Sequence, residues 1–401
     1  MEDGDPLHEA LWAVLDLFPL WAAMQTILVT GMQRSGTTLL DKVLGNHPRI
    51  SLLSQPFPLL FVEAKRRFLS RLGEQDIRYP LGNLFLESRY GEQELHRFLA
   101  GLTLAAPDLR AVFAEMAGFS GQYTRFAPER LEAALARLEP GDLASVLAQL
   151  YGSLAHRPGA DHVGGKETLW EELLPFLLDR GGAGVVIVRD PRDVLASLNY
   201  GRGPEQAGSL KPTLFNVRNW RKSVAFVLHL QGRSKFLSLR YEDLIARPPE
   251  ALGRITGFLG LEPFGDEAFA GGIRGQDGRL WAGNSSYGAL RGIDPLARSR
   301  RRESLPPEVA RYVEATCWPE LRCLGYPVDL EEAEVPAAIR DFADPYGAAR
   351  PELAGYTADP SSRAAEELRR WQLLRNGTGS EAQPYFLFED VFFRLREAQP
   401  V

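Results

Sequence analysis

Apolar residues fall along this chain in short unbroken runs, separated by stretches with helical spacing. Gln25 to Thr30 is a β-branched apolar run that meets a glycine, the pattern of a strand buried in a parallel sheet. Thr37 then opens a helical run with Leu39, Leu40, Val43 and Leu44 on its apolar face, and Gly45 stops it. Residues 50–53, His162–Gly165, Gly184–Val188 and Lys235–Leu239 read as further strands. From about 60 to 160 the spacing is mostly helical, broken by Pro and Gly. Strands alternating with helices predict an α/β fold with a central parallel sheet, helices on both faces and a helical insertion. Residues 1–330 read as one domain. Residues 331–401, rich in Pro, Ala and Glu and without a motif, read as an extension packed on it.

Composition narrows the function. The formal net charge is −6, which argues against a nucleic-acid binder. Any anion site must be local, built from a few placed cations and backbone N–H groups. The apolar stretch Leu11–Met24 is interrupted by Asp16 and Pro19 and lacks a basic leader region. It reads as a short helix beside the first strand, and no later segment offers an apolar run of about 20 residues. The expectation is a soluble cytoplasmic protein without a membrane span. Cys317 and Cys323 have no second pair and no nearby histidines, so no metal is expected. They read as free thiols, a disulfide being the alternative.

The most informative stretch is Gly31-Met-Gln-Arg-Ser-Gly-Thr-Thr38, between a strand and a helix. Its glycines let the backbone wrap an anion, and the helix presents unpaired N–H groups to it. Each charge-assisted hydrogen bond in such a cradle contributes about 1.5–3 kcal/mol. A nucleoside triphosphatase loop would carry lysine where Thr37 stands; here the cation is Arg34, inside the loop. A second region, Gly184–Val188, runs into Arg189-Asp-Pro-Arg-Asp193. Asp190 suits an N-cap, Pro191 the first helical position and Asp193 the first turn. None of this explains Arg189, at the carboxyl end of a strand, where open α/β sheets bind ligands. Arg192 reads as a surface or ion-pair residue.

Arg34-Ser35-Gly36-Thr37-Thr38 resembles the 5′-phosphosulfate loop of sulfotransferases that use 3′-phosphoadenosine 5′-phosphosulfate (PAPS), nearest the tyrosylprotein and bacterial branch. His47-Pro48 fits the same pattern. The resemblance covers residues 25–56 and 160–327 and implies a P-loop-like three-layer sandwich. It also implies metal-free transfer of a sulfuryl group from PAPS, leaving 3′-phosphoadenosine 5′-phosphate (PAP), to a small-molecule, peptide or sugar acceptor. By the same resemblance Arg189 and Ser197 match the 3′-phosphate site. Tyr241, in Leu239-Arg-Tyr-Glu-Asp-Leu244, matches a tyrosine near the nucleotide. Ser285 matches the catalytic serine, and Arg300, in the basic run Arg298–Arg302, a phosphate-binding cation.

Lys166 matches the lysine that acts on the leaving oxygen, with Arg34 and Ser285 stabilising the same sulfuryl region. The acceptor's base departs from the family. The tyrosylprotein branch has a glutamate eight residues past its His-Pro histidine, where this chain has Gln55. The cytosolic branch has a histidine two residues past the lysine, where this chain has Thr168. Glutamine cannot take a proton at neutral pH. Glu167 is the first candidate base because it adjoins Lys166, ahead of Glu63 and His47; an outward-facing strand-end carboxylate is the alternative reading. A P-loop kinase or NTPase, with Asp190 imitating a Walker B residue, and a non-catalytic PAPS-binding protein are the other functional readings.

Overall fold

The computed structural model describes residues 24–74, 84, 86, 90–119, 121–157, 159–199, 211–265, 272–276, 278–281, 304–346 and 351–397. The helix expected at Leu11–Met24 lies outside them except for Met24. So do Ser285, Arg300 and the basic run around Arg300.

Five strands form one sheet: β1 (Gln25–Thr30), β2 (Ile50–Ser54), β3 (His162–Lys166), β4 (Ala183–Val188) and β5 (Phe236–Arg240). The order is β2-β3-β1-β4-β5 and every pairing is parallel. Side chains alternate between faces along each strand. Leu28, Leu53, Val186 and Val188 enter one core, while Ile27, Val29, Leu52, Val185 and Ile187 enter the other. Burying each such side chain contributes about 1.5–3 kcal/mol. Two apolar faces demand cover on both sides, and the three-layer sandwich is the result.

The second core is covered by α1 (Thr37–Leu44), which sends Leu40, Val43 and Leu44 into it. The first core takes the insertion: α2 (Leu60–Arg71), α3 (Glu92–Gly101), α4 (Ala106–Met116), α5 (Pro128–Ala136) and α6 (Leu143–Ser153). Asp142 caps α6 by accepting from the Ser145 N–H at 2.9 Å. Then come α7 (Leu174–Asp179), α8 (Pro191–Asn199), the 18-residue α9 (Thr213–Leu230), α10 (Tyr241–Ala246) and α11 (Pro248–Leu259). The chain ends with α12 (Pro307–Thr316), α13 (Trp318–Cys323), α14 (Val335–Arg340), α15 (Pro360–Asn376) and α16 (Glu389–Glu397). Both cysteines are free thiols, Cys317 buried. No described helix is long and apolar enough to cross a membrane.

The strand order positions the site. From β1 the chain passes to the far edge at β2, returns through β3, then crosses β1 to build β4 and β5. The carboxyl ends of β1 and β4 are therefore neighbours at the point where the winding reverses, the crevice in which such sheets hold ligands.

Candidate active site

The phosphate loop leaves β1 through Gly31, at φ 147°, where an added Cβ would lie 2.6 Å from the Ile187 carbonyl oxygen. Gly36 ends the loop at φ 100°, and a Cβ there would lie 2.4 Å from the Tyr241 ring. Both positions need glycine for space as well as conformation. Between them Arg34 is held at φ 68°, a left-handed conformation that a non-glycine residue adopts at a cost of about 1–3 kcal/mol. No side chain caps α1, so its first-turn N–H groups stay open to an anion. Ser35 and Thr37 are buried and Thr38 is half-buried.

Arg34 turns toward β4. Its Nε donates to Ser197 Oγ at 2.8 Å, and Arg189 Nη1 donates to the Arg34 carbonyl oxygen at 3.3 Å. The two segments implicated by sequence are thus one site. Arg189 is only 1 % exposed and stacks on the Tyr241 ring, 4.5 Å from its centroid. Trp220 Nε1 fixes the Arg189 carbonyl oxygen at 2.8 Å. Arg189 Nη2 is 4.0 Å from Asp193 Oδ2, yet Nη2 and Nε make no hydrogen bond among the described residues. Burial, and then the charge of Arg189, lower the Arg34 pKa. A buried guanidinium with unused donors beside a half-buried one forms a phosphate-binding arrangement.

The aspartates behave as a helix start. Asp190 Oδ1 accepts from the Arg192 N–H at 3.0 Å, and Glu242 Oε1 accepts from the Asp190 N–H at 3.0 Å. Arg192 pairs with Asp190 at 2.8 Å and with Glu314, all three buried. The ion-pair reading of Arg192 holds, and the surface alternative is corrected. Asp190 is committed to this cluster, which removes it from the Walker B comparison.

Lys166 ends β3, the other neighbour of β1, and is fully buried. Its Nζ donates to Gln55 Oε1 at 2.6 Å and lies 5.1 Å from the centroid of the Tyr123 ring. Gln55, at φ 41°, donates through Nε2 to the Gly121 carbonyl oxygen at 2.9 Å. The residue standing where a base is familiar is thus a fixed partner of the lysine. Tyr123 carries no sequence signal. The Tyr123 N–H donates to the Gln55 carbonyl oxygen and the Thr124 N–H to that of Ser54, which lays this stretch of the insertion against the end of β2.

Glu167 leaves the strand end toward the opposite face. It is fully buried, which rules out the outward-facing alternative. Its Oε1 accepts from the Phe57 N–H at 2.8 Å, and its Oε2 makes no hydrogen bond among the described residues. Burial pushes its pKa up. Burial likewise pulls the Lys166 ammonium down, and Asp41, followed by Glu167, partly restores it. The other two candidate bases are occupied elsewhere. His47 Nε2 bonds the Glu262 carbonyl oxygen at 3.0 Å and its Nδ1 accepts from the Arg49 N–H. Glu63 pairs with Arg67 at 2.9 Å.

Two family models match in succession. Residues 26–163 match a model described as sulfotransferase family, and residues 183–269 one described as sulfotransferase domain. Among curated proteins, carbohydrate sulfotransferase 7 of Rattus norvegicus is 39% identical over 111 residues, 26% of this chain and 21% of the relative. Its namesake from Mus musculus is 37% identical over 110 residues, 25% of this chain and 21% of the relative. The match thus takes in about a fifth of these relatives' length. Among solved structures, the sulfotransferase domain from the curacin biosynthetic pathway aligns with TM-score 0.41 and 18% identity, over 76% of this chain and 99% of that one. The two sulfotransferase models cover the phosphate loop, Arg189, Ser197 and Tyr241, the residues that the fold gathers at one crevice. The chain belongs to the sulfotransferase family.

Proposed function

We propose that the chain transfers the sulfuryl group of PAPS to an acceptor hydroxyl. The observation that carries this reading is Arg189, a buried guanidinium with two unused donors, set against Arg34 where β1 and β4 meet. Such a site asks for an anion with phosphate geometry. Thr37 in place of a P-loop lysine, and Asp190 bound to Arg192, leave a kinase or NTPase without its parts. In this reading Ser35, Gly36, Thr37, Thr38 and Arg34 hold the 5′-phosphosulfate. Arg189 and Ser197 hold the 3′-phosphate, with Tyr241 against the nucleotide. Ser285 and Arg300, outside the described residues, would complete the site as their resemblance implies.

The chemistry breaks the bond between sulfur and the bridging phosphate oxygen and makes one between sulfur and the acceptor oxygen. Negative charge left on the phosphate is met by Lys166 and Arg34. The acceptor's proton goes to Glu167, whose buried Oε2 is unused and whose raised pKa suits proton exchange near neutrality. The helical insertion walls the acceptor side through Tyr123, 64% exposed beside Lys166. An exposed aromatic face next to a lysine suits a ring-bearing acceptor. The relatives' name favours a sugar hydroxyl, and the spelling of the phosphate loop favours a phenol such as a peptide tyrosine.

The test is PAP release from PAPS with a panel of disaccharides, phenols and tyrosine peptides. Acceptor-dependent release, abolished in Lys166→Met, is the expected result. PAPS bound but turned over with none of the three classes contradicts the enzymatic reading and leaves a binding protein.

A further inference from the structure

One carboxylate beside the lysine has no part in the chemistry above. Asp41 lies in α1 just past the phosphate loop and is only 1% exposed. A carboxylate at that depth costs several kcal/mol unless charges and hydrogen bonds compensate it. Its Oδ2 accepts from Ser54 Oγ at 2.5 Å, and Lys42 Nζ is 3.4 Å from the same oxygen. Ser54, the last residue of β2, stands in register with Lys166, the last residue of β3, and Val29 of β1 does the same on the other side. Residues opposed in register share a face, and Val29 lies on the face that α1 covers. Asp41, its donor Ser54 and the lysine chain therefore occupy one layer, between α1 and the sheet.

Gln55 is neutral where the tyrosylprotein branch carries a glutamate, so the lysine's hydrogen-bond partner brings no charge. We propose that Asp41 is the positioning residue of Lys166: its carboxylate, fixed by Ser54, supplies the counter-charge missing at position 55. It thereby holds the lysine protonated and aimed at the leaving oxygen. The proposal rests on the sulfuryl-transfer reading for the role of that lysine. The charged and titratable groups around Lys166 are Asp41 and Lys42 on α1, Glu167 on the opposite face of its own strand end, and Tyr123 from the insertion. After burial, which lowers the lysine, Asp41 is the largest influence and Lys42 opposes it.

The experiment is an NMR titration of the full chain with 13C-labelled lysine, without nucleotide, assigned with Lys166→Met. In Asp41→Asn the Lys166 titration should move down by about one pH unit or more. Ser54→Ala should move it the same way by less. Adding Gln55→Glu to Asp41→Asn should restore it, because the charge returns at the other position. A Lys166 titration that stays put while that of Lys42 moves would overturn the proposal, making Asp41 the partner of Lys42 alone. Should Asp41→Asn fail to fold, Ser54→Ala decides by the same criterion. The readout uses neither donor nor acceptor, so its failure is separate from any failure to bind PAP.

Discussion

Arg189 is the residue on which the site turns. A guanidinium buried with two unused donors costs the free protein about 1–3 kcal/mol, returned when an anion takes them. Arg189→Ala should therefore weaken PAP at least tenfold, by the loss of charged hydrogen bonds of about 1.5–3 kcal/mol each. It should also lower stability in urea, because the contact with the Arg34 carbonyl, the stacking on Tyr241 and the pairing with buried Asp193 are lost. Calorimetric titration and urea unfolding of the same variant check both halves. Glu167 and Lys166 give the pH dependence its sign. Burial holds the Glu167 carboxyl protonated above its ordinary range, so the base ionises, and turnover rises, as pH increases through the raised pKa. The Lys166 ammonium, lowered by burial to about 8, is lost over the same range in which Glu167 ionises, so turnover is confined to a narrow window and falls again above it. Glu167→Gln should remove the acid limb together with transfer to neutral hydroxyls, and keep the Phe57 N–H contact and the fold. An unchanged acid limb in that variant would place the base elsewhere.

At the level of elements, the loop between β1 and α1 depends on the helix that follows β5. Gly36→Ala forces a Cβ toward Tyr241 at a positive φ, a conformation costing an L residue about 1–2 kcal/mol. We expect it to weaken PAP strongly while the remaining sheet stays intact, measurable by titration and far-UV circular dichroism. These elements were legible in the sequence because their signals are local. The strands are short, five or six residues, and all but β3 (His162-Val-Gly-Gly-Lys166) are largely apolar runs, while the phosphate loop is spelled by Gly31 and Gly36, Arg34 and two threonines. Gln55 and Lys166 were singled out separately, but their hydrogen bond was not readable, because it depends on β3 inserting between β1 and β2. Tyr123 was invisible for a similar reason. It reaches the lysine only because its backbone lies along Ser54 and Gln55, a pairing without periodicity. Asp41 carries no motif of its own; it is buried against Ser54 of β2, a contact set by the packing of α1 on the sheet.

Across the whole molecule, the least legible part is what encloses α9. That helix buries Arg218, Arg221 and Lys222 along with its apolar residues, a composition that reads as an exposed face. The compensation comes from distant segments. Glu367 of α15 accepts from Arg218 at 3.0 Å and from Arg221 at 2.6 Å, and Glu172 takes Lys222 together with Lys65. Burial alone would raise the Glu367 carboxyl; Arg221 and Arg218 overturn this and hold it at about 2. A carboxylate depressed in the folded state contributes stability above its unfolded pKa and loses it as pH falls through the folded one. This contribution should fade between about pH 4.3, the unfolded value for glutamate, and about pH 2. Glu367→Ala removes the carboxylate shared by two buried guanidiniums, Arg218 keeping Glu366, and should cost about 3–5 kcal/mol at neutral pH, read from urea unfolding. A loss under 1 kcal/mol would mean that the C-terminal segment is not needed to hold α9.

The crevice between β1 and β4 is proposed to hold PAPS without a metal ion. Thermal unfolding with PAP, set against ATP and GTP with and without Mg²⁺, decides it. A ligand at 100 times its dissociation constant stabilises the folded state by about 2.7 kcal/mol, a rise of several degrees or somewhat less for a chain of this size. PAP should raise the melting temperature equally with and without Mg²⁺, and Arg189→Ala should abolish the rise. Stabilisation only by a Mg²⁺-nucleoside triphosphate would contradict it.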